Sequence, residues 1–182
     1  MPFDSTLMGP NSNSYVSVEE ADDYFDLNPK YSFWSPLSIQ QKQQFLVQAT
    51  TRLNYDQYGG RRTETVQALE WPRLWIIDRN YDQNQDFVEY VGGSYYQDPY
   101  TQPRELKIAT FELAMWYNEE INLENPMWSR NDIDRMESVS IGPLQAKLRK
   151  TKEAALPDVV VRALTAIGPN GWYGRRMMSL VR

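Results

Sequence analysis

The 182-residue sequence contains no cysteine and no histidine, and these two absences exclude most kinds of active site. Without cysteine the chain has no disulfide, no thiolate nucleophile and no thiolate ligand for zinc. Without histidine it has no Ser-His-Asp triad, no imidazole general base and no imidazole metal ligand. Glycine-rich phosphate-binding loops are absent as well. We therefore expect no catalytic residue, no metal, no cofactor and no enzymatic activity.

The sequence also lacks a long apolar run and an excess of positive charge. No stretch near 18 apolar residues predicts a membrane span, and the N-terminus has no signal-peptide pattern. The formal net charge of −5 has the wrong sign for a general nucleic-acid binder. Aromatic residues are plentiful at 13%. They suit large contact surfaces that keep some polar character.

Two capping boxes predict where the first helices begin. Ser17 is followed three residues later by Glu20, and Ser38 is followed in the same way by Gln41. The first of these helices is expected to end near Phe25. Residues 1–14 precede it without any periodicity, and we expect an extended N-terminal arm that only a partner would order.

Apolar spacing supports the second of these helices and predicts two more. Residues 38–58 carry one apolar face, and Gly59-Gly60 is the expected helix stop. Residues 104–121 have so wide an apolar arc that the helix should be buried on most sides. Pro157 opens a last helix that Gly168 ends.

Two stretches have the alternation and turn signals of extended pairs. The first is a β-hairpin around Gly92-Gly93, with the expected partners Val91 and Ser94, Tyr90 and Tyr95, and Glu89 and Tyr96. The second pairs residues 138–141 with 144–148 across Gly142-Pro143. Because an isolated hairpin is only marginally stable, the first should pack on its own domain or on a neighbouring subunit.

The predicted fold is mainly α: a small helical bundle of about four helices, with an inserted β-hairpin, a short second extended pair and extended N- and C-terminal arms. The predicted organisation is an N-terminal arm over 1–14, a helical domain over 15–168 with the hairpin inserted at 74–103, and a docking tail over 169–182.

The motif from Gln67 to Arg73 contains the candidate core and contact residues. Trp71-Pro72 is predicted to plug the core, because the proline forces an extended backbone before it. Arg73, with Arg61 and Arg62, could contact phosphate or a neighbouring subunit, or complement a helix dipole at the surface. Structural or interface use is favoured over nucleic acid.

Eight aromatic residues crowd the interval 71–100, which would suit the stacking of unpaired bases. The charge of residues 74–103 argues against this, because five acids oppose the single base Arg79 for a balance of −4. We expect this segment to contact protein instead. The expected subunit or tail interface comprises Arg61, Arg62, Arg73, Tyr90, Tyr95 and Tyr96.

The order of these elements resembles the head–tail connector (adaptor) protein family of tailed bacteriophages. The resemblance rests on six features in this order: the Tyr15–Phe25 helix, the long helix that ends at Gly59-Gly60, the Gln67–Arg73 motif, the Ala109–Glu120 helix, the Val139–Leu144 segment and the last helix, Pro157–Gly168. Some proteins of that group are labelled DnaT-like single-stranded-DNA-binding domains.

The resemblance implies a structural virion protein made in the host cytoplasm. It would form a ring of twelve copies beneath the portal protein at the head–tail interface, extend the channel through which double-stranded DNA passes, and dock a tail or nozzle protein. The expected portal-docking residues are Trp172, Tyr173, Arg175, Arg176, Met177 and Met178. Two alternatives stay open: a single-stranded-DNA-binding module, which needs a basic aromatic groove, and a carboxylate-only enzyme, which needs converging acids.

Overall fold

Five helices dominate the described part of this computed structural model, which covers residues 1–78, 89–91, 94–122, 138–141, 144–147, 156–168 and 171–173. In chain order they are α1 (Val18–Asp26), α2 (Tyr31–Trp34), α3 (Ile39–Asn54), α4 (Arg104–Asn122) and α5 (Asp158–Ala166). The mainly α fold class is therefore confirmed. No helix within the described ranges is long and apolar enough to cross a membrane.

Both predicted capping boxes are present. The Ser17 hydroxyl accepts a hydrogen bond from the Glu20 backbone N–H at 3.2 Å, and the Glu20 carboxylate accepts one from the Ser17 N–H at 3.0 Å. Ser38 and Gln41 form the same reciprocal pair at the start of α3. These bonds satisfy backbone donors that the first helical turn leaves unpaired, and so they locate the helix starts.

The end of α3 differs from the prediction. The helix stops at Asn54 rather than continuing to residue 58, so Gly59-Gly60 is not its stop signal. Tyr58 instead turns back, and its hydroxyl donates to the Leu53 carbonyl at 2.9 Å. The four-residue helix α2 was not predicted, because it is too short to show a periodic pattern.

Helix α4 lies at the centre of the core and packs against both α3 and α5. Every residue from 109 to 115 is buried, which confirms the expected burial on most sides. Phe25 and Trp34 are fully buried beside it, with ring centroids 4.9 Å apart. Burying a side chain of this size stabilises the fold by about 1.5–3 kcal/mol, so this contact anchors α1 and α2 to the bundle.

Three antiparallel strand pairs complete the described fold. They are β1 (Arg61–Arg62) with β2 (Arg73–Leu74), β3 (Glu89–Val91) with β4 (Ser94–Tyr96), and β5 (Ser138–Ile141) with β6 (Leu144–Lys147). The β3–β4 pair has the predicted register, with Tyr90 opposite Tyr95. The residue directly after β4 joins the pair to the body of the protein, because the Gln97 N–H donates to the Ile76 carbonyl at 2.8 Å.

The N-terminal segment over residues 1–14 is held by hydrogen bonds within the chain. The Asn13 N–H donates to the Asp4 carbonyl at 2.8 Å, and the Ala68 N–H donates to the Gly9 carbonyl at 3.1 Å. Phe3 packs against the core. The segment therefore folds onto the domain and also fastens the loop that contains Ala68, without the partner that we expected to order it.

Candidate functional site

The short ribbon formed by β1 and β2 is the most unusual surface in the described structure. Arg61 lies opposite Leu74, and Arg62 lies opposite Arg73. Gly60 leads into the ribbon with φ +60°, and a Cβ at this position would lie 1.9 Å from the Leu74 carbonyl oxygen. Only glycine permits this close approach of the two strands. We call residues 60–62 with 73–75 the ribbon.

The loop between the two strands is organised by the buried side chain of Gln67. Its amide nitrogen donates to the carbonyls of Leu69 and Pro72, at 2.8 and 3.1 Å. Its amide oxygen accepts from the Glu64 N–H at 2.9 Å. The first residue of the Gln67–Arg73 motif thus fixes the backbone of the motif itself.

Trp71 lies in the core with only 2% of its surface exposed. Its ring meets that of Tyr58 edge to face, with centroids 5.6 Å apart. The peptide bond to Pro72 is cis. The indole N–H has no hydrogen-bond partner among the described residues.

Arg73 corrects our interface prediction, because its guanidinium points inward. It donates to the carbonyl oxygens of Gly59, Gly60 and Glu70 at 2.6, 3.1 and 3.1 Å, and it pairs with the Glu70 carboxylate. Only 8% of Arg73 is exposed. An arginine that is already bonded to three carbonyls of its own chain is not available to a partner, and we assign Arg73 a structural role.

The phenols beneath this loop are buried. Burial raises the pKa of Tyr58 well above its ordinary value of 10, and burial together with the nearby Glu70 charge raises that of Tyr15. Both phenols therefore keep their protons. The Tyr15 hydroxyl donates to the Asn54 side-chain oxygen at 2.8 Å, and the same oxygen accepts from the Glu70 N–H at 2.7 Å. This network fixes the backbone of Glu70, whose carboxylate pairs with Arg73 of the ribbon.

Arg61 and Trp75 form a cation–π pair on the outer side of the ribbon. The centre of the guanidinium lies 4.6 Å from the centroid of the Trp75 ring. Arg61 is exposed, and 48% of Trp75 is exposed. The pair therefore presents a flat cationic and aromatic surface to solvent.

The backbone of Trp75 is in a conformation that tryptophan rarely adopts. Its φ is +64°, in the left-handed region, where a bulky residue costs about 1–3 kcal/mol. Such strained residues concentrate at functional sites. The fold thus keeps a large, half-exposed indole in an unfavourable backbone conformation. Trp75 is therefore the principal candidate for a ligand-contacting residue on this surface.

Charge on the ribbon is locally positive. Arg62 is exposed and gives one N–H to the Gln67 carbonyl at 3.1 Å. Because Arg73 and Glu70 pair with each other, the exposed charges on this side are Arg61 and Arg62 against Glu64. The ribbon therefore differs in sign from the acidic chain as a whole.

The hairpin residues proposed for the same interface are only partly described. The structure gives the backbone of Tyr90 and Tyr95 but not their side chains. Tyr96 is half-buried and forms a backbone bridge with Ile77. The backbone of the hairpin is thus joined to the segment that follows Trp75.

Trp172 and Tyr173, expected to dock on a portal, are engaged by their own chain. The Trp172 indole donates to the Asp56 carboxylate at 3.0 Å, and the Tyr173 N–H donates to the Gln57 carbonyl at 3.0 Å. The remaining predicted docking residues, Arg175, Arg176, Met177 and Met178, lie outside the described residues. The start of the tail is therefore part of the folded domain.

Acidic side chains do not converge on a metal site in the part of the chain that the structure describes. The buried carboxylate of Glu112 accepts from the Tyr24 hydroxyl at 2.8 Å and from the Lys30 ammonium at 2.6 Å. This bonding ties α1 and the segment before α2 to α4. The arrangement is that of an internal polar contact.

These features define a small, mainly helical domain that presents a cation–aromatic pair on a two-stranded ribbon. A protein-family model described as "Putative DnaT-like ssDNA binding protein" matches residues 3–167, and the chain belongs to that family. The match includes the ribbon and all five described helices. Neither a curated protein nor a solved structure matches the chain.

The family match overturns our assignment to the connector proteins of tailed bacteriophages, which was wrong. The residues behind that assignment are helix caps, glycine stops and a Trp-Pro pair. Such residues specify where helices and turns lie, and small helical domains of different families share them. They carried less information about the family than we inferred from their order.

Proposed function

We propose that this protein is a single-stranded-DNA-binding module and that the ribbon is its contact surface. The observation that carries the proposal is the Arg61–Trp75 pair, a half-exposed indole beneath a guanidinium at 4.6 Å. The description of the family to which the chain belongs supports the same function.

Stacking is the main interaction that this surface offers. Unpaired bases stack on aromatic rings and on guanidinium planes, and each stacked base contributes about 1–3 kcal/mol. Bases inside a duplex have no free face for such contact. The ribbon should therefore prefer single strands to double-stranded DNA, and it should tolerate many sequences, because every base has a flat face.

Electrostatics limits the expected affinity. Arg61 and Arg62 can each neutralise one phosphate, while the chain as a whole carries a net charge of −5. For single strands, the logarithm of the binding constant falls with the logarithm of the salt concentration, with a slope of about −0.7 per neutralised phosphate. Two contacts predict a slope of about −1.4. Binding should be weak and should depend on these two side chains.

The test is fluorescence anisotropy with a labelled oligothymidylate, titrated at several salt concentrations. Trp75→Ala should weaken binding by about 5–150-fold, which corresponds to the loss of one stacked base. Removal of both arginines, in Arg61→Ala/Arg62→Ala, should bring the salt slope close to zero. Duplex DNA of the same length should compete poorly.

Two control variants remove the same kinds of side chain, an aromatic ring and a cation, outside the ribbon. Phe33→Ala removes an aromatic ring that is 61% exposed. Phe33 belongs to α2 and not to the ribbon, and its carbonyl accepts from the Asn118 side chain on α4 at 3.2 Å. Arg162→Ala removes an exposed cation from α5. If Trp75→Ala binds DNA no worse than Phe33→Ala, the ribbon is not the contact surface.

The ring-forming adaptor role stays a prediction, although the family assignment on which it rested was wrong. It requires a homo-oligomer, with twelve copies as the expected number, together with portal and tail partners and a virion location. Light scattering of the purified protein, alone and mixed with a portal protein, tests it. A monomer that does not bind the portal protein but binds single-stranded DNA would exclude the adaptor role and support the proposed function.

A further inference from the structure

A groove of about 310 Å³ lies between α1 and α4. Its lining combines aromatic, apolar and charged side chains: Glu20, Asp23, Tyr24, Arg104, Ile108 and Phe111, with Lys107. The Tyr24 and Phe111 rings stack with centroids 4.7 Å apart and an interplanar angle of 23°. The volume is at the lower end of the range for ligand sites and suits one flat group rather than a large ligand.

The charges in this groove are not equivalent. Glu20 and Lys107 pair at 2.5 Å, and Glu20 also accepts from the Ser17 N–H. Arg104 is exposed and forms no ion pair with any residue that the structure describes. The lining also contains the exposed acid Asp23, which belongs to α1. The groove thus offers a guanidinium for a phosphate and a carboxylate that can accept from an N–H group of a base, including the ring N–H of thymine.

The groove is connected to the ribbon through the segment that precedes α4. The Thr63 hydroxyl, directly after β1, donates to the Pro99 carbonyl at 2.5 Å. Tyr100 follows and is 58% exposed, and Arg104 begins α4 four residues later. The exposed ring of Tyr100 and the exposed cation Arg104 therefore lie on the segment that leads from this contact to the groove.

We propose that the α1–α4 groove is a second contact for the same DNA strand, with Tyr100 between it and the ribbon. This inference rests on the proposed function of the ribbon. Arg104 contacts a phosphate, and one base enters the groove against its aromatic and apolar lining. Short oligonucleotides occupy the ribbon alone, whereas longer ones reach both contacts and gain affinity from the second.

The experiment measures the affinity of the whole protein for oligothymidylates between about 4 and 16 nucleotides long, the range of site sizes found for single-strand-binding domains. In wild type the affinity should rise between the short and the long members of the series. Arg104→Ala should remove about fivefold or more of that gain and lower the salt slope for the long strands by about 0.7. Tyr100→Ala should also weaken the long strands by about fivefold or more. Arg162→Ala and Phe33→Ala are the matched controls.

The outcomes separate this inference from the proposed function. If Trp75→Ala weakens binding while Arg104→Ala behaves as Arg162→Ala at every length, the groove is not a contact and the ribbon is. Equal losses for Arg104→Ala on the shortest and longest strands would overturn the two-contact arrangement. Failure of the wild-type protein to bind any oligonucleotide would overturn both proposals.

Discussion

Replacement of Arg73 provides the most direct test of how the ribbon is held. Its guanidinium donates to three backbone carbonyls, those of Gly59, Gly60 and Glu70. Gly60 is exposed, so its carbonyl can regain a hydrogen bond from water, but Gly59 is buried and Glu70 is half-buried. Each hydrogen bond from a charged donor contributes about 1.5–3 kcal/mol. With two of these bonds lost and not replaced by water, we expect Arg73→Ala to lower the free energy of unfolding by at least about 3 kcal/mol.

Two further variants separate the hydrogen bonds from the charge. Arg73→Lys keeps the charge, but one ammonium cannot reach three carbonyls in a fixed plane. It should therefore lower the free energy of unfolding by about half as much as Arg73→Ala or more. Glu70→Gln removes the ion pair while leaving the carbonyls bonded. Because the Glu70 side chain is 34% exposed, this change should cost less than about 1 kcal/mol.

Urea unfolding followed by tryptophan fluorescence measures all three variants. With a slope of about 1–3 kcal/mol per molar urea, Arg73→Ala should lower the midpoint by roughly 1–3 M with an unchanged slope. That loss is a large part of the 5–15 kcal/mol by which a domain is typically stable. A midpoint for Arg73→Ala that matches that of Glu70→Gln would show that the carbonyl contacts do not stabilise the fold.

Three further predictions concern the ribbon and the first helix. Gly60→Ala places a Cβ 1.9 Å from the Leu74 carbonyl oxygen at φ +60°, so it should destabilise by at least about 2 kcal/mol, and an unchanged melting temperature would contradict this. Trp71→Phe deletes a buried N–H that has no partner among the described residues, which offsets the lost ring volume. It should fall within about 1 kcal/mol of wild type in urea unfolding, against about 3–5 kcal/mol for Trp71→Ala. Burial tends to raise the pKa of Glu20, but hydrogen bonds from Lys107 and Ser17 lower it below its ordinary value of 4.5. Its contribution to stability is therefore present above that pH and lost on acidification, so Glu20→Gln should show a shallower fall of the unfolding free energy between about pH 5 and pH 3.

The features that were predictable from sequence are those in which neighbouring residues determine the structure. Ser17 and Glu20 cap a helix because they are three residues apart and need nothing else. The register of Tyr90 with Tyr95 follows from a two-residue turn between alternating strands. In both cases the sequence separation is short, so the local pattern contains the whole interaction.

The features that were missed depend on contacts between distant residues. The inward direction of Arg73 requires the carbonyl of Gly59, fourteen residues earlier. Trp75 was counted among the aromatics of an acidic segment, and the average charge of that segment hid its neighbour across the ribbon, Arg61. Charge averaged over sequence is a poor measure of local charge when an antiparallel pair places residues of another segment beside it.

The two hydrogen-bond partners of Asp56, just beyond the end of α3, become available at different times during synthesis of the chain. One oxygen of its buried carboxylate is bound by Arg52, four residues earlier, at 2.8 Å, and the other accepts from Trp172, 116 residues later. At a translation rate of about 5–20 residues per second, roughly 6–23 s separate the synthesis of Asp56 from that of Trp172. During that interval the carboxylate has one charged partner near it in the chain. Arg52 can thus orient the Asp56 carboxylate on the nascent chain before the Trp172 indole is made and binds its other oxygen.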